Sequence, residues 1–526
     1  YHASNLLLRS TDRGVSWIEA SPDLTRDDDE KQGKGGGPIT NEGAGGEIYG
    51  TIFYVAESRH DPRTLWAGSD DGYLHVTRDG GASWERVTPP SIGEAMINAI
   101  DVSPHDPATA YVAVTRYKFN DFTPLAFKTN DYGKSWKSIV KGIPDEAWVR
   151  VVREDPKRRG LLYMGTELGV FVSFDDGESF APLQLNLPVT PVTDLMVQEQ
   201  ANDLVAATAG RSFWILDDLS PLQQIDDSVK SAKVHLVAPR AAYRVERGFG
   251  FGGGAVGKNP PPGAIVDFFV DQISDETEVT LEVLDASGAL VRRYPPEDPP
   301  EGPAAARNPW KPKSGMNRVS WDLRHEGPKR VPGLFSFGSL AGRKVVPGTY
   351  QLRLTAGGET RTQTLEVKKD PRLDTPLEVY EAQDEFLSGV AREIDAIHRG
   401  VIRLRGVREQ VQALLDRTKD QTEIHEQGKA LVAKLDAMED ELVQKRTVDG
   451  QTVINFTVQL NHHFIILHGA VDGSEEGVIE GARDRFRDLM AVWSDKKAAL
   501  DTLMSADLDA FNALVREKAI PSVIVP

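Results

Sequence analysis

Four short polar stretches carry the side chains best suited to chemistry on a sugar or a peptide. They are Ser69-Asp70-Asp71-Gly72, Arg116-Tyr117-Lys118-Phe119-Asn120-Asp121, Glu167-Leu168 and Arg211-Ser212. Cleaving a glycosidic bond needs a protonated carboxyl and an ionised partner, about 5 to 9.5 Å apart depending on whether configuration is retained or inverted. Asp71 with Asp121, or Asp121 with Glu167, are the pairs that neighbouring stretches offer. Asp70, Arg116, Tyr117 and Arg211 are the candidate ligand-binding groups beside them. The same residues have a plainer use, because Asp-Gly and Glu-x-Gly turns favour acids for local hydrogen bonding alone. No acid and base are therefore assigned; Asp71, Asp121 and Glu167 are the catalytic candidates.

Strands must position these groups. The pattern Ser/Thr-x-Asp-x-Gly-x-x-Trp/Phe occurs four times, as Ser10-Asp12-Gly14-Trp17, Thr77-Asp79-Gly81-Trp84, Thr129-Asp131-Gly133-Trp136 and Ser173-Asp175-Gly177-Phe180. The carboxylate accepts hydrogen bonds from its own turn, Gly takes positive φ freely, and the aromatic is expected to fold back over the loop as a lid. Asp12, Asp79, Asp131 and Asp175 therefore read as structural. Their spacing, 67, 52 and 44 residues, is at or above the length of a four-stranded propeller blade. Innermost strands are expected at 50–58, 97–104, 148–155 and 192–199, the first three followed by Asp61-Pro62, Asp106-Pro107 and Asp155-Pro156. Second and third strands follow, with the polar stretches between them, and the repeated turn joins third strand to fourth. In the last set that turn has become Asp217-Asp218-Leu219-Ser220, without the aromatic.

The repeated turn is the Asp-box, or BNR repeat. Residues 1–228 thus resemble the β-propellers of sialidases, xyloglucan-active glycosidases and the sortilin luminal domain. Arg116-Tyr117 and Arg211 only superficially match the arginine triad and Tyr nucleophile that a sialidase resemblance implies, and no Arg-Ile-Pro motif occurs. The catalytic Asp residues of xyloglucan-active enzymes have no matching motif here. Four blades and a fraction do not close a ring of the usual six to eight, so the remaining blades are expected from preceding sequence or another chain.

Residues 229–370 change to longer alternating strands, including AIVDFFVD, EVTLEVLD and TYQLRLTA, and predict a small β-sandwich. NRVSWDLRHEG followed by VVPGTYQLRL resembles immunoglobulin-like modules of secreted bacterial proteins. Two low-complexity loops interrupt it, at 248–263 and 295–309; the first is Gly-rich but lacks phosphate-loop spacing. From 371 to 526 the period becomes helical. Thr375, Pro376 and Glu378 form a helix-start signature, and Val379, Phe386, Val390, Ile394, Ile397 and Val401 recur at three-and-four spacing. Further helices at about 420–446, 455–470, 476–503 and 505–518 complete an antiparallel bundle.

Bulk properties narrow the partners. With 61 basic and 79 acidic residues the formal charge is −18, which repels phosphate backbones and argues against nucleic acid. No run of 18 apolar residues marks a membrane span. The chain has no cysteine, so disulfides, thiolate metal sites and a Cys nucleophile are excluded. His462, His463 and His468 share a helix but include no i, i+4 pair, so no metal site and no cofactor are expected. His60 and His105 are expected to face solvent, and Trp66, Trp214 and Trp321 to lie in cores. Tyr1 is not an initiator Met, and the chain reads as the later part of a longer polypeptide.

Nearly the whole chain resembles the C-terminal half of large exported bacterial proteins described as glycosyl-hydrolase-like or sortilin-like. That resemblance implies an extracytoplasmic location. The expected function is recognition of a glycan or protein partner, with a scaffold role. Glycoside hydrolysis is the alternative, and membership of an envelope complex a second.

Overall fold

The computed structural model describes residues 1–32, 49–90, 92–245, 257–274, 276–296, 310–450 and 452–520. Much of the loop expected over 22–48, most of both low-complexity loops and the end of the chain lie outside the described residues. The chain is mainly β with a C-terminal helical region, and it divides into two compact units, Tyr1–Ser231 and Ala232–Pro526.

Among the described residues the first unit has five antiparallel sheets in chain order. Strands β1 (His2–Ala3), β2 (Leu7–Arg9) and β3 (Ile18–Glu19) form the first; β4 (Ile52–Glu57), β5 (Leu65–Ser69), β6 (Leu74–Thr77) and β7 (Glu85–Arg86) form the second. The third is β8 (Met96–Val102), β9 (Ala110–Arg116), β10 (Asp121–Thr129) and β11 (Lys137–Ser138). The fourth is β12 (Val149–Glu154), β13 (Leu162–Thr166), β14 (Gly169–Ser173) and β15 (Ala181–Pro182). β16 (Val192–Gln198), β17 (Asp203–Thr208) and β18 (Phe213–Leu216) form the fifth, followed by the short helices α1 (Ser220–Gln224) and α2 (Asp227–Ser231).

Leading strands of successive sheets pack together, β4 on β8, β8 on β12 and β12 on β16, which gives the unit its β-propeller character. A sheet held between two others buries both faces and loses the polar alternation of a half-exposed strand. β5, β13 and β14 are buried at every position for this reason.

The four repeated turns share one hydrogen-bond set. In the second, Asp79 accepts the Ser83 amide at 2.9 Å and the Ser83 hydroxyl at 2.6 Å, while Thr77 donates to Asp79 at 2.8 Å and accepts the Gly81 amide at 3.0 Å. The Ser16, Ser83 and Ser135 bonds hold the carboxyls of Asp12, Asp79 and Asp131 down at about 2. A carboxyl lowered by folding adds stability that is full above its unfolded value and is lost as pH falls through about 2. Acid titration of Trp fluorescence should therefore show the first unit weakening below about pH 4, with a shallower slope in Asp79→Asn and Asp131→Asn.

The aromatic residues do more than cover their own turns. Trp84 Nε1 donates to the Ala20 carbonyl of the preceding sheet at 3.0 Å, and Trp136 Nε1 donates to Val87 O, again one sheet back, at 2.7 Å. His60 and His105, expected to face solvent, reach the other way. Their Nε2 atoms lie 3.1 Å from Ser103 O and 2.8 Å from Asp155 O of the following sheet. The first four sheets are thus bonded in succession by side chains whose acceptors lie some 40 to 65 residues away in sequence.

The second unit begins with two sheets. β19 (Val234–Leu236), β21 (Ala264–Val270) and β24 (Gly315–Trp321) make a three-stranded sheet. β20 (Ala242–Arg244), β22 (Val279–Leu284), β23 (Leu290–Tyr294), β25 (Gly348–Ala356) and β26 (Glu359–Lys369) make a five-stranded one. They share a core around Phe268, Trp321, Leu281 and Leu354. Five helices follow: α3 (Leu377–Arg417), α4 (Thr422–Leu442), α5 (Leu460–Asp472), α6 (Glu480–Thr502) and α7 (Leu508–Glu517). α3 packs against α4 and α5, burying Leu387, Val390, Ile394, Ile397 and Val401 on one stripe. The start of α3 differs from expectation: Pro376 holds the N-cap position, and the Thr375 hydroxyl donates instead to Glu475 O at 3.0 Å.

Candidate functional site

The groups expected to carry chemistry lie in or beside the connections between second and third strands of their sheets, and most are engaged by other groups of the first unit. Asp71 is fully buried; it accepts the Ser69 hydroxyl at 2.5 Å and the Arg26 amide at 2.7 Å. Asp70 accepts the Gly50 and Thr51 amides at 3.0 and 2.8 Å, and burial pushes its carboxyl up. Arg116 pairs with Asp121 at 3.0 Å, and the Thr123 hydrogen bonds hold Asp121 below the usual carboxylate range. Glu167 receives Nε and Nη2 of Arg150 at 2.8 and 2.7 Å, while Tyr117 stacks on Trp148. The Arg211 side chain is exposed, and its carbonyl accepts Trp214 Nε1 at 2.9 Å. Trp66 and Trp321 are fully buried, whereas Trp214 is half-buried.

A different place has the shape of a binding site. The strands β4, β8, β12 and β16 surround a cleft of about 570 Å³. Glu57, Asp101 and Glu154 line it; Glu57 and Glu154 occupy the same rung of their sheets, opposite Leu65 and Leu162, where the third sheet has Val102 opposite Ala110. One rung earlier Ala56, Asp101, Arg153 and Met196, opposite Trp66, Tyr111, Tyr163 and Val205, all line the cleft.

Arg153 is the hub of the cleft. Its Nη2 donates to Tyr54 Oη at 2.9 Å and to Asp194 Oδ1 at 2.8 Å, and its Nε donates to Leu195 O at 2.9 Å. One side chain on β12 thereby ties β4 and β16 together. Asp101 Oδ1 lies 3.9 Å from Arg153 Nη1, and Asp101 Oδ2 accepts the Glu154 amide at 2.8 Å. Burial pushes the Asp101 carboxyl up to about 6, against the pull of Arg153. The side chain keeps 22% of its surface open to the cleft, so water tempers that burial while the surrounding strands set its direction. Glu154 is almost fully buried; Oε1 accepts the Gly160 amide at 2.8 Å, and among the described residues Oε2 has no hydrogen-bond partner. Beyond the ends of β4 and β16, Arg59 pairs with Glu199.

The cleft thus offers a carboxyl poised near neutrality, further acids and a fixed guanidinium. Such a set can accept and donate hydrogen bonds to hydroxyl, amide or ammonium groups of a ligand. Among the described residues, no group of three or more His, Asp or Glu side chains is placed to hold a metal ion, and no helix is long and apolar enough to cross a membrane. These cleft residues were not among the sequence candidates. The signal that marks them is an acid recurring near the end of three of the four leading strands, in IFYVAE, MINAIDV and VRVVRE.

No protein-family model and no curated protein matches the chain. Solved structures with similar parts belong to proteins of β-propeller fold. One is YCF48 bound to a D1 peptide, at 19% identity and TM-score 0.25, the match covering 32% of this chain and 51% of that one. Another is the GH74 xyloglucanase from Xanthomonas campestris, at 16% identity and TM-score 0.26, covering 32% of this chain and 29% of the enzyme. A third is an ancestral GH74 enzyme, at 12% identity and TM-score 0.27, covering 69% and 45%. The chain spans about half the length of the YCF48 structure. Likeness this slight carries no argument about activity.

Proposed function

We propose that this chain is an extracytoplasmic recognition protein that takes a glycan or a protein segment in the cleft between β4, β8, β12 and β16. In this reading the first unit is part of an Asp-box propeller, and the second is an immunoglobulin-like sandwich followed by an antiparallel helical bundle with a scaffold role. The cleft itself carries the proposal, because acids and an arginine converge there from four separate sheets. Polar groups fixed by different strands are positioned by the whole unit, which is what selective binding needs. In the outer connections Asp71, Asp121 and Glu167 are already taken up by Ser69 and Arg26, by Arg116 and by Arg150.

Glycoside hydrolysis is a second reading, favoured by the place of Asp101: it lines the cleft, and burial pushes its carboxyl up to about 6, where it can act as an acid. Under it Asp71, Asp121 and Glu167 also stay as candidates.

Glycan and peptide arrays, followed by a hydrolysis assay on every hit, separate the two. Recognition predicts binding without turnover, a loss of at least about tenfold in affinity in Asp101→Asn or Glu57→Gln, equivalent to about 1.4 kcal/mol, and little change in Asp121→Asn or Glu167→Gln. Turnover abolished by Asp101→Asn would establish the hydrolase instead. Asp101→Asn is expected to stay folded, since it removes a charge that burial disfavours.

A further inference from the structure

Three of the four repeated turns press against the sheet before them. A Cβ on Gly81 would lie 2.3 Å from Ala20 O, one on Gly133 2.6 Å from Val87 Cβ, and one on Gly177 3.0 Å from Ile139 Cγ2. Ala20, Val87 and Ile139 each directly follow the outermost strand of the preceding sheet, β3, β7 or β11. The turn after β2 has the same pattern and internal hydrogen bonds, but among the described residues nothing from a neighbouring sheet lies against its glycine. The one heavy-atom neighbour there for a Cβ on Gly14 within 4 Å is its own Trp17, at 3.6 Å. Trp17 is 45% exposed, and among the described residues its indole N–H has no acceptor matching Ala20 O or Val87 O.

The fifth sheet shows the complementary feature. Phe213 and Ile215 on β18 stand 76% and 58% exposed. By strand register Phe213 takes the place of Leu74 and Val170, and Ile215 that of Val76 and Val172, all four buried under a following sheet. Met196 on β16 extends the same bare apolar face at 64% exposure. A face of this kind marks an interaction surface.

We infer that these two flanks are docking faces for a partner polypeptide bearing further antiparallel blade-like sheets. The repeat specifies its chemistry: a backbone carbonyl just past an outermost strand for Trp17, and a small-residue turn with an aromatic for the Phe213–Ile215 face. A second copy of this chain does not fit. Among the described residues its fifth sheet ends at β18 and runs into α1, with no fourth strand to present a carbonyl to Trp17. Two copies would also bring ten sheets together, above the four to eight typical of a closed ring. This inference is independent of what the cleft binds.

The test places a benzophenone side chain at position 17 or 213 of the full-length protein in its native host and sequences the cross-linked peptides. The expected peptides come from strands or turns of a segment outside these 526 residues that carries the Ser/Thr-x-Asp-x-Gly-x-x-Trp/Phe pattern. Ile215→Lys should reduce the yield from position 213 at least about tenfold while leaving the circular-dichroism spectrum unchanged, since a surface substitution costs little stability. Cross-links to a second copy, to residues 232–526 of the same chain, to a polypeptide without the pattern, or to nothing would each overturn the inference.

Discussion

Glu475→Ala is expected to destabilise the second unit by about 3–5 kcal/mol, the cost of leaving a buried charge unpaired. Glu475 lies between α5 and α6 with its side chain 6% exposed. Arg244 Nε on β20 approaches Oε2 at 3.1 Å, and Lys344 Nζ lies 2.9 Å from Oε1. Removing the carboxylate leaves the buried Arg244 guanidinium without its opposite charge and takes one contact from Lys344. Arg244 cannot swing to solvent, because its Nη1 and Nη2 donate to Val345 O at 2.9 Å and Gln383 Oε1 at 2.7 Å, and its guanidinium lies 4.6 Å from the centre of the Tyr380 ring. Sheet and helices of this unit are therefore joined through one buried ion group. Urea denaturation measures the effect, and Glu475→Gln, which keeps an acceptor, should lose less. A loss below about 1 kcal/mol, the range of exposed pairs, would mean that water reaches the group.

Gly81→Ala should cost the first unit about 2–5 kcal/mol, combining strain at positive φ with overpacking. Gly81 sits at φ +98°, and the added carbon would fall 2.3 Å from the Ala20 carbonyl oxygen, which is backbone and cannot step aside. Gly14→Ala is the control. It has a similar φ of +88° and the same turn, but its nearest neighbour is 3.6 Å away, so only the strain, about 1–3 kcal/mol, remains. Equal losses in the two variants would show that the turns do not bear on the sheets before them.

What the sequence made legible was local. Asp79, Gly81 and Trp84 announce their turn because the bonds that make it span four residues, and four repeats of such a turn point to blade-like sheets. The helical period of Val390, Ile394, Ile397 and Val401 likewise comes from one face of a single helix. What stayed hidden depends on distant partners. Asp71 looked like an available acid, yet the Arg26 amide that fixes it lies 45 residues away. His60 and His105 face carbonyls of the next sheet, which no local pattern foretells. Thr375 had the spacing of a cap, but its hydroxyl is taken by Glu475 O, 100 residues on. Asp101 and Arg153 looked like ordinary strand positions because their importance arises only when four strands meet. An acid at or one residue before the end of three of the four leading strands, Glu57, Asp101 and Glu154, was the trace of the cleft in the sequence.

Hydrogen–deuterium exchange on the chain with and without an array hit asks most directly where a ligand meets this protein. Protection is predicted at the ends of the four leading strands, around residues 54–59, 100–102, 153–156 and 196–200. Protection confined to 69–72, 116–121, 167–168 and 211–212, with the strand ends unchanged, would contradict the cleft and return the site to the outer connections.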